Sequence, residues 1–384
     1  MSIYIPLAWL QLTREKRRFL AALAGIAFAV VLMMTQLGFE DALLSTSGLV
    51  QSRLTGDLVL INPQYQYIVS PKSFTDRRLY QALGCDGVES VEAVYLGTAP
   101  FKNPFDRSER DIFMIGFNPR SAVLNAPGVA ENLYKIRTPG VVLFDSIRRP
   151  EYGAVAETLK EDKHVITETA GRRVEIAGLF QLGTSFAVDG TLVMSDETFL
   201  QVLPNRRLGI IDVGLIKLKS GADPERVKSE LARILPPDVR VLTHAEFAEL
   251  EKTYWTTNTP IGFIFKLGVL MGIFVGCIIV YQILYSDVTD HLPEYATLKA
   301  MGYPDRFLFK IVLQESLILS VLGFFPGVFV SYFVYSVSRD ATLLPLRMTF
   351  ARSAAVYVLT AIMCAISAAL AMRRLKAADP AEIF

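Results

Sequence analysis

Four stretches of the chain contain no charged residue and are almost wholly apolar, whereas the segments between them are polar. They cover residues 19–39, 267–286, 316–338 and 353–372. About 20 helical residues are enough to cross the roughly 30 Å hydrocarbon core of a bilayer. The pattern therefore predicts an α-helical membrane protein with four transmembrane helices, which we place at 19–39, 266–286, 316–338 and 353–372.

The segment between the first two predicted helices, residues 40–265, has the composition of a soluble domain and is long enough to bury its own core. Runs rich in β-branched and aromatic residues alternate with turn residues, which is typical of strands. One helix is well signalled, because Asp223 can cap its N-terminus and Pro224 suits its first turn. We expect a large mixed α/β extracytoplasmic domain with two subdomains, inserted after the first helix in a 1+3 arrangement. The predicted strands are 57–61, 91–96, 112–117, 141–144, 191–194, 213–218 and 239–242.

Basic residues flank the first and the last predicted helix. Cytoplasmic flanks of transmembrane helices are enriched in Lys and Arg, and four spans put both termini on one side. We therefore expect both termini in the cytoplasm, with 1–18 as an amphipathic interfacial helix, 339–352 as a short outer loop and 373–384 as a cytoplasmic tail. The predicted outer loop carries three arginines, contrary to this charge rule, so we base the orientation on the two ends of the chain. The basic residues there are Arg14, Lys16, Arg17 and Arg18, then Arg373, Arg374 and Lys376.

The predicted cytoplasmic loop 287–315 is too short for a catalytic domain, but it contains the signals of a short helix. Asp290 can cap the helix, Pro293 suits its first turn and Gly302 can end it, which predicts a helix over 293–302. A short helix can dock into a partner's groove, although a plain connector is the alternative. The residues expected to form this docking surface are Pro293, Glu294, Tyr295, Leu298, Lys299, Met301 and Gly302.

Glycines recur at a spacing of four in the second predicted span. Gly268, Gly272 and Gly276 share one helical face, which allows another helix backbone to approach closely. The sequence leaves two alternatives open, packing against another helix of the same chain and contact between two copies in a homodimer. Gly323 and Gly327 repeat the spacing around Pro326 in the third span, where we expect a kink.

Several functional classes are excluded by what the sequence lacks. The predicted spans have no ionisable residue in their middle, which argues against an ion pathway or a proton relay. No GxxxxGK[ST] motif is present, so the chain cannot hold a nucleotide by the P-loop mechanism. Three scattered cysteines and three scattered histidines predict no disulfide framework and no metal site. A net charge of +1 provides no field to attract nucleic acid. We therefore expect a non-catalytic membrane subunit without a cofactor, which takes its energy from outside its membrane core.

Three segments resemble conserved parts of a known membrane-protein family. They are LAWLQLTREKRRFLAALAGIAFAV at 7–30, LPEYATLKAMGYPDRFL at 292–308 and RRLKAADPAEIF at 373–384. These segments, together with the 1+3 arrangement, resemble the MacB/FtsX-type (type VII) ABC permeases. The segment VVLFDSIRRPEYG at 141–153 and the lack of a fused ATPase most resemble the DevC-type permeases of glycolipid exporters. Pro293-Glu294 stands where the family usually has Arg-Glu.

The resemblance implies an inner-membrane homodimer that docks two copies of a separate, DevA-like ABC ATPase, which binds ATP and Mg²⁺. The helix 293–302 would be the coupling helix, and mechanotransmission would expel a lipid or glycolipid-like amphiphile from the periplasmic side. Further implied partners are a DevB-like periplasmic adaptor, a TolC-like outer-membrane channel and the membrane lipids.

Other functions were weighed against the exporter. An FtsX-like regulator that activates a periplasmic cell-wall hydrolase usually has a smaller outer domain, and a lipoprotein-releasing permease is a further alternative. A sensor would need a cytoplasmic output domain, which the chain lacks between its predicted spans. A membrane enzyme is disfavoured because no set of nucleophile, base and orienting residue is visible.

Overall fold

The computed structural model describes residues 16–161 and 164–377, with the side chains of 374–377 excepted. The chain divides into two compact units. One consists of long helices, and the other covers residues 43–260 with the short segment 342–344. The predicted interfacial helix at 1–18 falls mostly outside the described residues, and so do residues 378–384 of the predicted tail.

Four long helices form the first unit. Their bounds are α1 Lys16–Ser47, α9 Pro260–Asp290, α11 Asp305–Thr342 and α12 Phe350–Ala377. Each of the four is long and apolar enough to cross a membrane, and each runs past the predicted span at one or both ends. The helices are longer than the predicted spans because a helix continues through charged residues beyond the apolar stretch. Consequently, the predicted loop 287–315 shrinks to the residues between α9 and α11. The bounds of the spans themselves stay a prediction.

A mixed α/β domain with one large sheet makes up the second unit. Nine strands hydrogen-bond in the order β11-β1-β10-β3-β4-β8-β5-β7-β6, and β2 pairs with β9 alone. The pairs β4–β8 and β5–β7 are parallel, and the others are antiparallel. The strands are β1 Leu58–Ile61, β2 Phe74–Thr75, β3 Val88–Lys102, β4 Glu109–Phe117, β5 Val141–Asp145, β6 Val165–Thr169, β7 Arg172–Phe180, β8 Thr191–Ser195, β9 Ile210–Ile211, β10 Val213–Leu218 and β11 Arg240–Thr243.

The strand β3 joins two parts of this sheet. Phe101 in β3 also pairs with Thr169 in β6, so six strands from β3 to β6 close into a ring. On the other side of β3, β1 from the start of the domain lies between β10 and β11 from its end. The division into two subdomains stays a prediction, since a single continuous sheet connects both parts.

Short helices cover the sheet. They are α2 Leu49–Arg53, α3 Arg77–Leu83, α4 Val129–Asn132, α5 Val155–Lys160, α6 Asp196–Val202, α7 Pro224–Ile234 and α8 His244–Thr253. The predicted start of α7 is confirmed, because the Asp223 side chain accepts a hydrogen bond from the Glu225 amide. A capping box begins α8, where Thr243 and Glu246 each bond the other's backbone N–H. The seven predicted strands are confirmed within a few residues, whereas β2, β6, β7 and β9 were not predicted.

Candidate functional site: the short helix α10

The connection between α9 and α11 contains one short helix, α10, at Leu292–Ala300. The predicted helix 293–302 is therefore present but one residue earlier at its start and two residues shorter at its end. Pro293 lies in the first turn, as expected. Gly302 follows the helix with φ +93°, a left-handed conformation that favours glycine.

The start of α10 differs from the prediction. Asp290 was expected to cap it, but Asp290 is the last residue of α9 and forms an ion pair with Arg18 of α1. His291 occupies the N-cap position without a side-chain capping bond. The Asp290 carboxylate instead connects the end of α9 to the beginning of α1.

One face of α10 is buried against the long helices. Tyr295 is 3% exposed and belongs to the apolar core of the helical unit, against which Leu298 also packs. This corrects the prediction that Tyr295 and Leu298 form an apolar knob for a partner. The sequence predicted a helix with an apolar face, but it did not show that this face packs against other helices of the same chain.

The opposite face is open to solvent. Pro293, Glu294 and Thr297 are exposed there, and Met301 is 63% and Tyr303 43% exposed just beyond the helix. We call these five residues the outer face of α10. It combines one carboxylate with apolar and aromatic side chains, which is a composition suited to docking in a groove.

Contacts at its C-terminal end fix α10 to the next long helix. Lys299 Nζ lies 3.3 Å from Asp305 Oδ1 at the first residue of α11. The Tyr303 amide donates a hydrogen bond to the Leu298 carbonyl at 3.1 Å, and the centroids of the Tyr303 and Phe307 rings are 4.8 Å apart. The short helix is therefore held both by its buried face and by its C-terminal end.

The glycines of α9 face helices of the same chain. A Cβ added at Gly268 would meet Gln36, one at Gly272 would meet Met33, and one at Gly276 would meet Met363 and Ala29. Met33 and Ala29 lie in α1 and Met363 lies in α12. The structure thus shows packing within the chain at these glycines, and Gly272 and Gly276 are buried. A contact between two copies at this face stays a prediction.

The glycines of α11 pack on α1 as well. An added Cβ would meet Ile26 at Gly323 and Val30 at Gly327. Small residues of α9 and α11 thus let both helices approach α1 closely, one on each side.

An arginine joins three long helices at the opposite end of α11 from α10. The Arg352 side chain is 8% exposed and donates to Asp41 of α1 at 2.6 Å, to the Tyr335 hydroxyl at 3.2 Å and to the Arg347 carbonyl at 2.9 Å. Tyr335 in turn donates to the Met34 carbonyl. The sequence missed this Arg352 cluster because residues 339–352 were read as a solvent-exposed loop.

Comparison with known protein families identifies the helical segment that carries α10. Residues 266–380 match the family model described as FtsX-like permease C-terminal. Because of this similarity we call residues 266–380 the FtsX-like permease domain. It includes most of α9 and all of α10, α11 and α12. No curated protein matches the chain significantly.

Two solved structures are similar to about half of the chain. The periplasmic region of MacB from Actinobacillus actinomycetemcomitans has a TM-score of 0.38 and 10% identity, over 52% of this chain and 94% of that one. The extracellular domain of the noncanonic ABC-type transporter YknZ from Gram-positive bacteria has a TM-score of 0.35 and 15% identity, over 49% and 99%. Similarity at this level establishes neither a shared fold nor a shared function.

Within the FtsX-like permease domain, one ionisable residue is completely buried. Glu315 of α11 is 0% exposed, and Asp287 near the end of α9 has a side chain only 13% exposed. The sequence placed both in an aqueous loop, directly next to the predicted spans. In the structure Asp287 and Glu315 lie within the long helices α9 and α11 rather than in a loop.

Outside the permease domain, two buried carboxylates organise loops of the α/β domain. Burial raises the pKa of Glu251 to about 7, although it accepts bonds from Trp255 Nε1, the Ile68 amide and Gln51 Nε2. Burial likewise raises the pKa of Asp145 to about 6, against the amides of Ile147, Gly183 and Leu182. These donors give each carboxylate a structural role. In the described ranges, no group of three His, Cys, Asp or Glu side chains could hold a metal ion.

Proposed function

We propose that the chain is the permease subunit of an ABC-type exporter, driven by ATP hydrolysis in a separate ATPase subunit. The observation that carries the proposal is the placement of α10, a short helix with an open outer face, between two long apolar helices of an FtsX-like permease domain. In this proposal the chain catalyses no reaction, and ATP and Mg²⁺ are bound by the ATPase.

The outer face of α10 is the proposed ATPase contact. Glu294 supplies a charge and Met301 an apolar anchor, and both are exposed. Tyr295 and Leu298 hold the helix to the bundle from its inner side. Because buried cores deform little, a movement imposed on the outer face is transmitted to α9 and α11 as a displacement of whole helices.

The contacts within the helical unit support transmission along its length. The glycines of α9 and α11 hold α1 closely, and the Arg352 cluster joins α1, α11 and α12 at the far end. Since α1 and α9 lead directly into and out of the α/β domain along the chain, their displacement would act on that domain. This is mechanotransmission, in which substrate is expelled without passing through the permease.

The remaining assignments follow from the family resemblance and the basic flanks. We propose an inner-membrane protein in 1+3 topology with cytoplasmic termini, a periplasmic α/β domain and an amphiphilic, lipid or glycolipid-like substrate. A DevA-like ATPase, a DevB-like adaptor and a TolC-like channel would be its partners. A homodimer would use an exposed face of the bundle, such as the apolar stripe of α9: Phe263, Leu267, Leu270, Met271, Phe274 and Ile278.

Site-specific photo-crosslinking tests the proposal. A photoreactive residue at Met301 should capture a protein that carries a nucleotide-binding P-loop, while one at the equally exposed Tyr134 of the α/β domain should not. With the photoreactive residue placed at the exposed Tyr303 instead, the double variant Glu294→Lys, Met301→Glu should abolish capture and ATP-dependent export without changing membrane insertion. Export at the wild-type rate in that variant would overturn the ATPase contact. Capture of a cell-wall hydrolase at Tyr134, with no ATPase at Met301, would favour the regulator instead.

A further inference from the structure

Four aromatic side chains from distant parts of the chain meet on the α/β domain. The Tyr67 ring stacks on Tyr254 with centroids 4.7 Å apart, and Trp255 stands edge-on to Tyr67 and to Phe186, at 5.7 Å from each. Phe186 is 44% exposed, and the other three are half-buried. We call Tyr67, Phe186, Tyr254 and Trp255 the aromatic surface. It is too open to be an ordinary part of the domain's core.

The aromatic surface adjoins the ends of long apolar helices along the chain. Tyr254 and Trp255 begin a turn of π-helix, Tyr254–Asn258, that directly precedes α9. On the loop that carries Phe186, the Thr184 hydroxyl donates to the carbonyl of Leu343 at 3.1 Å. Leu343 is the first residue after α11. Two separate apolar helices therefore end within a few residues of the aromatic surface.

The length of α9 sets the depth of its first residue. At 1.5 Å per residue, its 31 residues span about 46 Å, close to the roughly 40–45 Å of a bilayer with both headgroup layers. Pro260 would then lie at the outer edge of a headgroup layer. Trp255 precedes Pro260 by five residues, which reach about 8 Å as helix and about 17 Å when fully extended.

The chemistry of the surface fits the same layer. Trp and Tyr concentrate at membrane–water interfaces because their rings are apolar and their edges polar. Trp255 is also held in place, since its Nε1 donates to the buried Glu251 carboxylate at 3.2 Å. The following residues Thr256, Thr257, Asn258 and Thr259 are all polar and suit a hydrated environment.

We propose that the aromatic surface lies in the lipid headgroup layer and docks the α/β domain on the bilayer. Phe186 and Trp255 would contact the lipid headgroups, with the Glu251 carboxylate holding the indole in place through its hydrogen bond. The proposal does not depend on the exporter assignment, because it needs only that α9 crosses a membrane. A protein partner or a second copy of the chain is the competing occupant.

The two tryptophans of the chain allow a direct measurement of depth. In the variant Trp9→Phe, Trp255 is the only indole. The full-length variant is reconstituted in phosphatidylcholine vesicles that contain lipids brominated either near the headgroup or near the bilayer centre. We expect at least twofold stronger quenching of Trp255 by the shallow bromines, with little quenching by aqueous iodide.

Two charged variants show whether the aromatic surface itself makes the contact. Phe186→Glu should reduce lipid quenching of Trp255 at least twofold, because a carboxylate is expelled from this layer. Tyr134→Glu, at an exposed aromatic residue outside the surface, should leave quenching unchanged. If Trp9→Phe does not fold, the difference between the wild type and Trp255→Phe gives the same signal.

Two results would overturn the proposal. Strong iodide quenching without lipid quenching would place Trp255 in water. If neither iodide nor brominated lipid quenches Trp255, and its fluorescence emission changes with the protein-to-lipid ratio, a second copy of the chain covers the aromatic surface.

Discussion

Arg352 donates a hydrogen bond from Nη2 to Oδ2 of Asp41 at 2.6 Å, joining residues 311 positions apart in the chain. The two partners differ in environment, since the Arg352 side chain is 8% exposed and that of Asp41 is 61% exposed. The arginine has two further acceptors, the Tyr335 hydroxyl and the Arg347 carbonyl. It therefore acts as the centre of the cluster, while the carboxylate contributes one partly solvated contact.

Substitutions at these two residues should have unequal effects. Arg352→Ala leaves buried acceptors unsatisfied and should lower the free energy of unfolding by about 2–4 kcal/mol. Asp41→Asn removes only a partly exposed charge pair and should cost about 1 kcal/mol or less. Thermal unfolding of the detergent-solubilised chain measures both, and equal losses would show that the ion pair, rather than the buried arginine, dominates.

The stability of the chain should fall as the pH rises through the range in which Glu251 ionises. Burial raises its pKa from 4.5 to about 7, so the folded state keeps a proton that the unfolded state has lost, and each pH unit in that range costs about 1.4 kcal/mol. At pH 6 the folded-state Asp145, whose pKa is about 6, is half ionised, and its further ionisation adds only about 0.4 kcal/mol to the loss by pH 8. Between pH 6 and pH 8 the loss should therefore be about 1.4 kcal/mol from Glu251.

The variant Glu251→Gln isolates this contribution. It should show no such loss between pH 6 and pH 8, while Asp145→Asn should retain it. Denaturant unfolding of the full chain at the two pH values provides the comparison. An unchanged pH dependence in Glu251→Gln would mean that another group titrates in this window.

A bulky residue at Gly276 should destabilise the folded chain by itself. Gly276→Val places a side chain against Met363 and Ala29, and overpacking of this kind costs about 1–3 kcal/mol. Ile278→Val, at a residue 41% exposed on the same helix, serves as the control and should change stability little. Thermal unfolding and the oligomeric state are measured together; weaker dimerisation at unchanged stability would assign the glycine face to a contact between copies.

The two faces of α10 should respond differently to truncation. Tyr295→Ala removes a side chain that is 3% exposed and should lower the free energy of unfolding by about 3 kcal/mol. Met301→Ala, at a residue 63% exposed, should change it by less than about 0.5 kcal/mol. Met301→Ala should nevertheless weaken binding of the proposed ATPase, measured by co-purification, because it removes an exposed contact and leaves the fold intact. Similar destabilisation by both changes would contradict the assignment of an inner and an outer face.

Local signals were sufficient for much of the architecture. Charge-free apolar stretches predicted the four long helices, and β-branched runs predicted strands such as β5 and β8. Asp223, Pro224, Pro293 and Gly302 act locally, through capping bonds and restricted backbone angles, so their positions could be read directly. The strand β7 was missed because its first two residues are arginines and because Glu175 and Gly178 interrupt its apolar run.

What the sequence determined by itself is the set of elements, since hydrophobic period, capping and turn residues depend only on neighbours along the chain. The tertiary structure decided which face of each element is covered. Tyr295 is buried in the helical unit, the α9 glycines pack against α1 and α12, and Arg352 binds Asp41. Each of these contacts joins residues that are far apart in sequence. The same packing brought Tyr67 and Phe186 to Trp255, a surface that no local pattern indicates.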